Sequence, residues 1–349
     1  MARKILKMSE NKERLNQIIT EFSEAIDPAI NKFLVLDVDK KFQPAVRYQM
    51  STGGKRLRPS LAVISCRLLG GKLKDVVYPA AGLEILHNYT LIVDDMIDNS
   101  VLRRGRPTTW SAFGNSIAQC VGIDYAATIF QSASTSKNPI LISQLFAKTL
   151  KRLVEGEILD ILFERSGRDD EPYVVKNRFP KISEKDYFEM ISKKTAALFQ
   201  TSCEIGGICA GATEKEVEAL RKYGFNLGMI FQITDDILDI FGTEKKFQKK
   251  IGKDIEERKE GNIVILRALA ELGPTDKNNL SGIMRQNQIG EKDVRQAIKL
   301  IKKTESRQKA YSLARNFAGK AKEALKTLPQ NKWNGNLNSF VDFILEREK

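Results

Sequence analysis

At 349 residues, with 42% hydrophobic, 29% charged and 8% aromatic side chains, the chain can bury a large core and is too balanced for disorder or a fibrous fold. One His, and four Cys without C-x-x-C spacing, exclude a His-rich metal centre, paired catalytic imidazoles, a zinc ribbon and a thioredoxin-like redox site. The 57 Lys and Arg against 44 Asp and Glu leave a net charge of +13, which favours nucleic acid, an anionic membrane surface or phosphorylated metabolites as partners.

Along the chain, the basic Met1–Glu10 is followed by neither an apolar stretch nor a small-residue cleavage site. No apolar run approaches the ~18–20 residues needed to span a bilayer; even Leu61–Gly71 is interrupted by Arg67. A soluble cytoplasmic protein is expected, with Cys66, Cys120, Cys203 and Cys209 as small buried residues in a reducing compartment. Apolar residues at three- and four-residue steps predict helices over 11–26, 59–70, 75–98, 139–165, 183–210, 213–241 and 306–327. Two-residue alternation is absent. Pro28, Pro59, Pro107, Pro139, Pro172, Pro180 and Pro274 mark expected breaks, and Ser183 with Asp186 and Thr213 with Glu216 resemble capping boxes. The charged stretch 166–181, with two prolines, is the clearest loop. No repeat of 20–50 residues is present. The expectation is one all-α domain over 1–349, with chemistry in 53–262 and peripheral helices in 275–349.

Two segments carry chemistry. LIVDDMID holds Asp94, Asp95 and Asp98, and FQITDDILD holds Asp235, Asp236 and Asp239. Asp is a poor interior helix residue, so using it twice among strongly apolar neighbours needs a local reason. At about 100° per residue, Asp94 and Asp98 lie about 40° apart and one turn along, and Asp235 and Asp239 repeat that geometry. Like charges so placed repel, and a hard divalent cation relieves them; Mg²⁺ shares its shell with waters and substrate phosphates. A solvated acidic stripe explains one triplet but not two in matching settings, and a proton-shuttling dyad explains two acids rather than six. GGKRLRP at Gly53–Pro59 sets Lys55, Arg56 and Arg58 before a helix start, and Arg103-Arg104 follow Asp98 by five and six residues. Cations beside metal-binding carboxylates point to an anionic substrate.

This set, together with Lys194-Thr195, resembles the trans-isoprenyl diphosphate synthases (polyprenyl synthetases) in order and spacing over residues 45–270. GKDIEERKEGNIVIL at 252–266 is similar to archaeal-type geranylgeranyl diphosphate synthases. The resemblance implies a class I isoprenoid synthase fold, a single large helical bundle around a central cavity. It implies a homodimer that is not membrane-spanning, has no nucleic-acid partner, and joins isopentenyl diphosphate to dimethylallyl, geranyl or farnesyl diphosphate. Mg²⁺, about three ions per site, would be held by Asp94, Asp95, Asp98, Asp235 and Asp236, with Asp239 in support. Arg103, Lys194, Thr195, Gln232, Lys249 and Lys259 would meet the allylic diphosphate, and Arg103 and Lys194 would join the aspartates in catalysis. Lys55, Arg58, His87 and Arg104 would hold isopentenyl diphosphate. His87, seven residues before Asp94, lies about 20° from it and two turns along the same helix; a satisfied core imidazole is the alternative.

Three departures from the family pattern stand out. Val93 replaces a frequent His before the first Asp pair, Gly122-Ile123-Asp124 replaces A-G-D, and Gln248–Gly252 replaces G-K-P-x-G. Product length is read from Tyr89, five residues before Asp94 and about 7.5 Å further along the helix, and from its neighbour Thr90. In the family a bulky residue there limits the growing chain, so one aromatic beside a small residue implies a C20 product, with C25 the nearest competitor. An ordinary core aromatic is the alternative for Tyr89. A terpene cyclase would carry a different second metal motif, a non-catalytic subunit would lose a triplet, and a nucleic-acid binder would leave the carboxylates unexplained.

Overall fold

The computed structural model describes residues 2–243 and 251–346, with side chains from residue 13 onward. In chain order the helices are α1 (Ala2–Val35), α2 (Gln43–Ser51), α3 (Leu57–Leu68), α4 (Leu73–Ile97), α5 (Thr109–Phe113) and α6 (Asn115–Ser134). Then come α7 (Pro139–Leu162), α8 (Pro172–Asn177), α9 (Glu184–Ile191), a wide π turn at Ser192–Ala196, α10 (Ala197–Ala210) and α11 (Glu214–Phe241). The rest are α12 (Lys253–Glu256), α13 (Ile263–Glu271), α14 (Pro274–Met284), α15 (Glu291–Ile301), α16 (Ser306–Leu325) and α17 (Lys332–Leu345). Among the described residues the only strands are two residues each, Leu102–Arg103 against Arg106–Pro107. The class is all-α, as the spacing predicts.

The chain divides into two compact units: Met1–Lys151 with Leu198–Leu227 and Lys320–Phe343, and Arg152–Ala197 with Gly228–Gly319 and Ile344–Lys349. In the first, α4 packs against α1, α3 and α6. Val76, Ala80, Leu83, Ile85, Leu86 and Ile92 are all buried, so α4 is apolar nearly all round, as a central helix must be. Its 25 residues span about 37 Å, which carries one rigid rod from the core to the first acidic triplet. In the second unit, α13 buries Ile263, Val264, Ile265 and Ala268, and its N-terminus is capped by the Asn262 side chain, which accepts from the Val264 amide at 2.9 Å. Both capping boxes form: the Asp186 amide donates to Ser183 Oγ at 3.2 Å, and the Thr213 amide to Glu216 Oε2 at 2.8 Å.

Several expectations are corrected. Pro28 lies inside α1, where buried Phe22, Ile26, Ile30 and Phe33 hold the helix together despite the lost hydrogen bond. Helix α6 escapes the period search because Ile117, Ile123 and Phe130 are exposed while Val121, Tyr125 and Ile129 are buried, so apolar residues occupy both faces. Cys120, on that outer face, is exposed; the other three cysteines are buried. The loop 166–181 contains the short helix α8, started by Pro172. Asp98 caps the C-terminus of α4 instead of lying in its interior.

Candidate active site

In the first unit, GGKRLRP forms a tight turn into α3. Gly54 has φ +155, and a Cβ on it would lie 2.9 Å from Arg56 Nη1 and 3.2 Å from Arg104 Nη1, so only glycine lets the backbone pass between two guanidinium groups. Arg56 takes the left-handed φ of 47° that turns the chain into the helix. Its guanidinium is buried, with Nε 2.9 Å from Asp27 Oδ1 and Nη1 3.0 Å from Glu84 Oε1. Asn88 Nδ2 donates to the same Glu84 oxygen at 3.1 Å. Arg56 therefore holds the turn together through Asp27 and Glu84. The Arg58 guanidinium carbon sits 4.8 Å over the Phe199 ring, which fixes its plane. Arg104 donates to the Gly53 carbonyl, which ties the 102–107 hairpin to the turn.

His87 looks out from α4 between these cations. Desolvation, and then the charges of Arg58, Arg104, Arg103 and Arg56, hold its imidazole well below the usual range, so it is neutral in the folded protein. The unfolded chain binds a proton at His87 near pH 6.5 and the native chain does not, so this group removes stability as pH falls below about 6.5 and leaves it untouched above. His87→Gln is expected to flatten the loss between pH 7 and 5 by at most about 1.4 kcal/mol per pH unit, read by urea denaturation. An unchanged slope in the variant would show that His87 is protonated natively.

At the end of α4, Asp94 and Asp98 are partly exposed, and the Asp98 amide donates to the Asp94 carbonyl at 2.8 Å, which preserves the one-turn spacing. Asp95 points inward and is buried. Arg103 Nε donates to both its oxygens, at 2.9 and 2.8 Å, and Nη2 lies 2.8 Å from Oδ1. The triplet thus separates into an outward pair and an inward anchor, and Arg103 is gripped by the anchor.

The second unit assembles the other residues. Lys194 lies in the π turn, whose extra residue bulges against α7 at Gly156; a Cβ there would lie 2.2 Å from the Lys194 backbone nitrogen. Lys194 Nζ is 2.7 Å from Glu157 Oε2 and 2.6 Å from Asp160 Oδ2. Lys259 Nζ is 3.5 Å from the same Asp160 oxygen and 3.1 Å from Glu257 Oε2. Burial would raise the Asp160 carboxyl, but the two ammonium groups hold it down at about 2. Thr195 Oγ1 donates to Gln232 Oε1 at 2.7 Å, and Gln232 Nε2 to Asp236 Oδ1 at 2.8 Å. The second Asp236 oxygen accepts from Tyr187 OH at 2.8 Å and the Ile263 amide at 3.0 Å. Asp239 accepts from the Lys253 and Asp254 amides at 3.0 and 3.2 Å, and burial pushes Asp254 up to about 6. Asp235 is partly exposed on the same helix. Lys249 lies outside the described residues.

Glu157 and Asp160 are missing from the sequence reading. The signal is present: VEGEILDIL sets Glu155, Glu157 and Asp160 among Val154, Ile158, Leu159 and Ile161, acids in an apolar helix as in the two triplets.

The donor set near both triplets is oxygen only, which suits a hard cation over zinc or copper. Among the described residues no three His, Cys, Asp or Glu side chains converge closely enough to hold an ion by themselves. Carboxylates one turn apart, such as Asp94 and Asp98, fit Mg²⁺, which binds through one or two carboxylates and completes its octahedron with water and phosphate oxygens.

The polyprenyl synthetase family pattern matches residues 39–301. The chain belongs to that family. It is 34% identical over 318 residues to the geranylgeranyl diphosphate synthase of Saccharolobus solfataricus, covering 89% of this chain and 91% of that one. It is 29% identical over 339 residues to the octaprenyl diphosphate synthase of Escherichia coli, covering 97% and 100%. The crystal structure of a polyprenyl synthase from Caulobacter crescentus complexed with calcium and isoprenyl diphosphate is similar, with TM-score 0.85 and 30% identity over 97% of this chain and 98% of that one. This polyprenyl synthetase is a trans-prenyltransferase with the all-helical isoprenoid synthase fold. No helix among its described residues is long and apolar enough to cross a membrane.

Proposed function

We propose that this polyprenyl synthetase is a Mg²⁺-dependent enzyme that extends an allylic diphosphate with isopentenyl diphosphate and releases chiefly C20 geranylgeranyl diphosphate. The observation that carries the product length is Tyr89, five residues before Asp94 on the rigid helix α4. Beside it Thr90 turns its hydroxyl back to the His87 carbonyl at 2.8 Å and adds little bulk.

Asp94 and Asp98, and Asp235 with Asp239 behind it, are the carboxylates for Mg²⁺, which would supply charge stabilisation to the departing diphosphate. Lys194 and Lys259, held in place by Asp160, add fixed positive charge to the same group, and Thr195 and Gln232 orient it. As the allylic C–O bond breaks, its electron pair leaves with the diphosphate oxygen. The alkene of isopentenyl diphosphate, its own diphosphate held by Lys55, Arg58, Arg104 and neutral His87, attacks the allylic carbon and forms the new C–C bond. A proton then leaves the neighbouring carbon for the released diphosphate, so no protein base is needed. The apolar lining of α4 keeps water from capturing the cation.

With Mg²⁺, labelled isopentenyl diphosphate and farnesyl diphosphate, a single C20 alcohol is expected after dephosphorylation, read by chromatography. A C25 or longer main product keeps the prenyltransferase and rejects the Tyr89 reading; a cyclic hydrocarbon rejects both.

A homodimer on the outer face of α6, where Ile117, Ile123 and Phe130 are exposed, accords with this reading. Sedimentation equilibrium at micromolar protein is expected to give twice the 39.4 kDa chain mass, and a monomer there would reject it.

A further inference from the structure

Gly122 is a glycine without an evident structural reason. It is buried within α6, where glycine is the poorest helix former short of proline. Five of the six other buried helical glycines have a close neighbour: a Cβ would lie 2.1 Å from Ser132 Oγ at Gly82, 2.2 Å from the Lys194 backbone at Gly156, and 2.4 Å from the Ala62 carbonyl at Gly206. At Gly224 and Gly207 the nearest atoms would be at 2.6 and 3.0 Å. At Gly122 a Cβ would meet nothing but the ring of Tyr89, with Cε2 at 3.6 Å and Cδ2 at 3.9 Å, which is ordinary van der Waals contact. A methyl group fits there, against the edge of the Tyr89 ring.

We propose that Gly122 is a specificity-determining residue: by presenting no side chain to Tyr89, it lets the ring yield to a growing prenyl tail and permits a minor longer product. The proposal rests on Tyr89 as the floor of the product cavity. The order Gly122-Ile123 has a further effect, since it turns the bulky residue outward, where Ile123 is 71% exposed, and leaves the buried position between Val121 and Tyr125 without a side chain. The aromatic floor is then a hinged one, stiffened or loosened by a single methyl on the neighbouring helix.

The test compares the rate of elongating geranylgeranyl diphosphate to C25 with the rate of elongating farnesyl diphosphate to C20. Wild-type protein, Gly122→Ala, Tyr89→Ala and the double variant are all measured with Mg²⁺ and labelled isopentenyl diphosphate. Gly122→Ala gives the helix its best former and endangers no contact, so it is expected to fold, with melting checked by circular dichroism. It should lower the C25-to-C20 rate ratio at least fivefold with the C20 rate within twofold of wild type. Tyr89→Ala should raise that ratio more than tenfold, and adding Gly122→Ala to it should change nothing further. If Tyr89→Ala responds but Gly122→Ala does not, or if the Gly122 effect persists without the ring, the hinge is rejected and the floor stands. If wild-type protein does not extend geranylgeranyl diphosphate at all, the ring does not yield and the hinge is also rejected. If Tyr89→Ala leaves the ratio unchanged, the floor itself is wrong and the proposal falls with it.

Discussion

Asp94→Ala and Asp235→Ala are each expected to lower turnover at least ~10³-fold, equivalent to about 4 kcal/mol of transition-state stabilisation, with the helical circular dichroism unchanged. The structure separates these two positions from their neighbours. Asp94 and Asp235 are partly exposed, and each has another aspartate one turn along its helix. Asp236 is different. Its oxygens accept from Gln232, Tyr187 and the Ile263 amide, and its loss strands three donors, two of them on other elements. Asp236→Ala should therefore lose both activity and stability, by about 3 kcal/mol. Radiolabelled isopentenyl diphosphate incorporation and urea melts on the three variants provide the comparison. A rate above one tenth of wild type in Asp94→Ala or Asp235→Ala would reject the metal assignment for that residue.

Asp160→Asn is expected to raise the KM for the allylic diphosphate by one to two orders of magnitude while leaving that for isopentenyl diphosphate nearly unchanged. Asp160 is a positioning residue: it holds Lys194 and Lys259 by one oxygen, at 2.6 and 3.5 Å. Without its charge, two flexible four-carbon stems lose their common anchor, and their ordering must come out of substrate binding energy. Each lysine keeps a second carboxylate, Glu157 or Glu257, so the stability cost should be moderate, about 2 kcal/mol. That cost has a pH signature. With its native value at about 2 and an unfolded value near 3.9, Asp160 contributes stability that is fully present above about pH 4 and is lost as pH falls towards 2. Wild-type protein should lose that contribution on acidification and Asp160→Asn should have none to lose. An allylic-diphosphate KM unchanged from wild type in the variant would show that the lysines need no anchor.

What the sequence revealed here followed period and repetition. Two matched triplets at helical spacing were readable because Asp is costly inside a helix, and the capping boxes because their partners lie three residues apart. The division of labour within each triplet was not readable. Nothing local distinguishes Asp94 from Asp95; the distinction is made by Arg103 reaching back across the hairpin, and for Asp236 by Tyr187 and the Ile263 amide from other elements. In sequence Arg56 is one of three cations in GGKRLRP with nothing to set it apart, yet Asp27 and Glu84, 29 and 28 residues away, claim it. Helix α6 was missed because apolar residues on an exposed face erase the period that reveals a helix. Asp160 sits in an acid-and-apolar run that the sequence shows, but its hold on two lysines from distant segments shows only in the fold.

The π turn at Ser192–Ala196 has an evolutionary reading. A wide turn is an α-helix with one residue inserted, and the helices on either side continue as though it were absent. Deleting a residue there would restore regular α-helical turns and change which side chain the segment presents to α7. Lys194 would swing away from Glu157 and Asp160, and Gly156 would no longer be needed to make room for its backbone. Insertion and deletion, rather than substitution, would then be the mutations to which this half of the site is most sensitive.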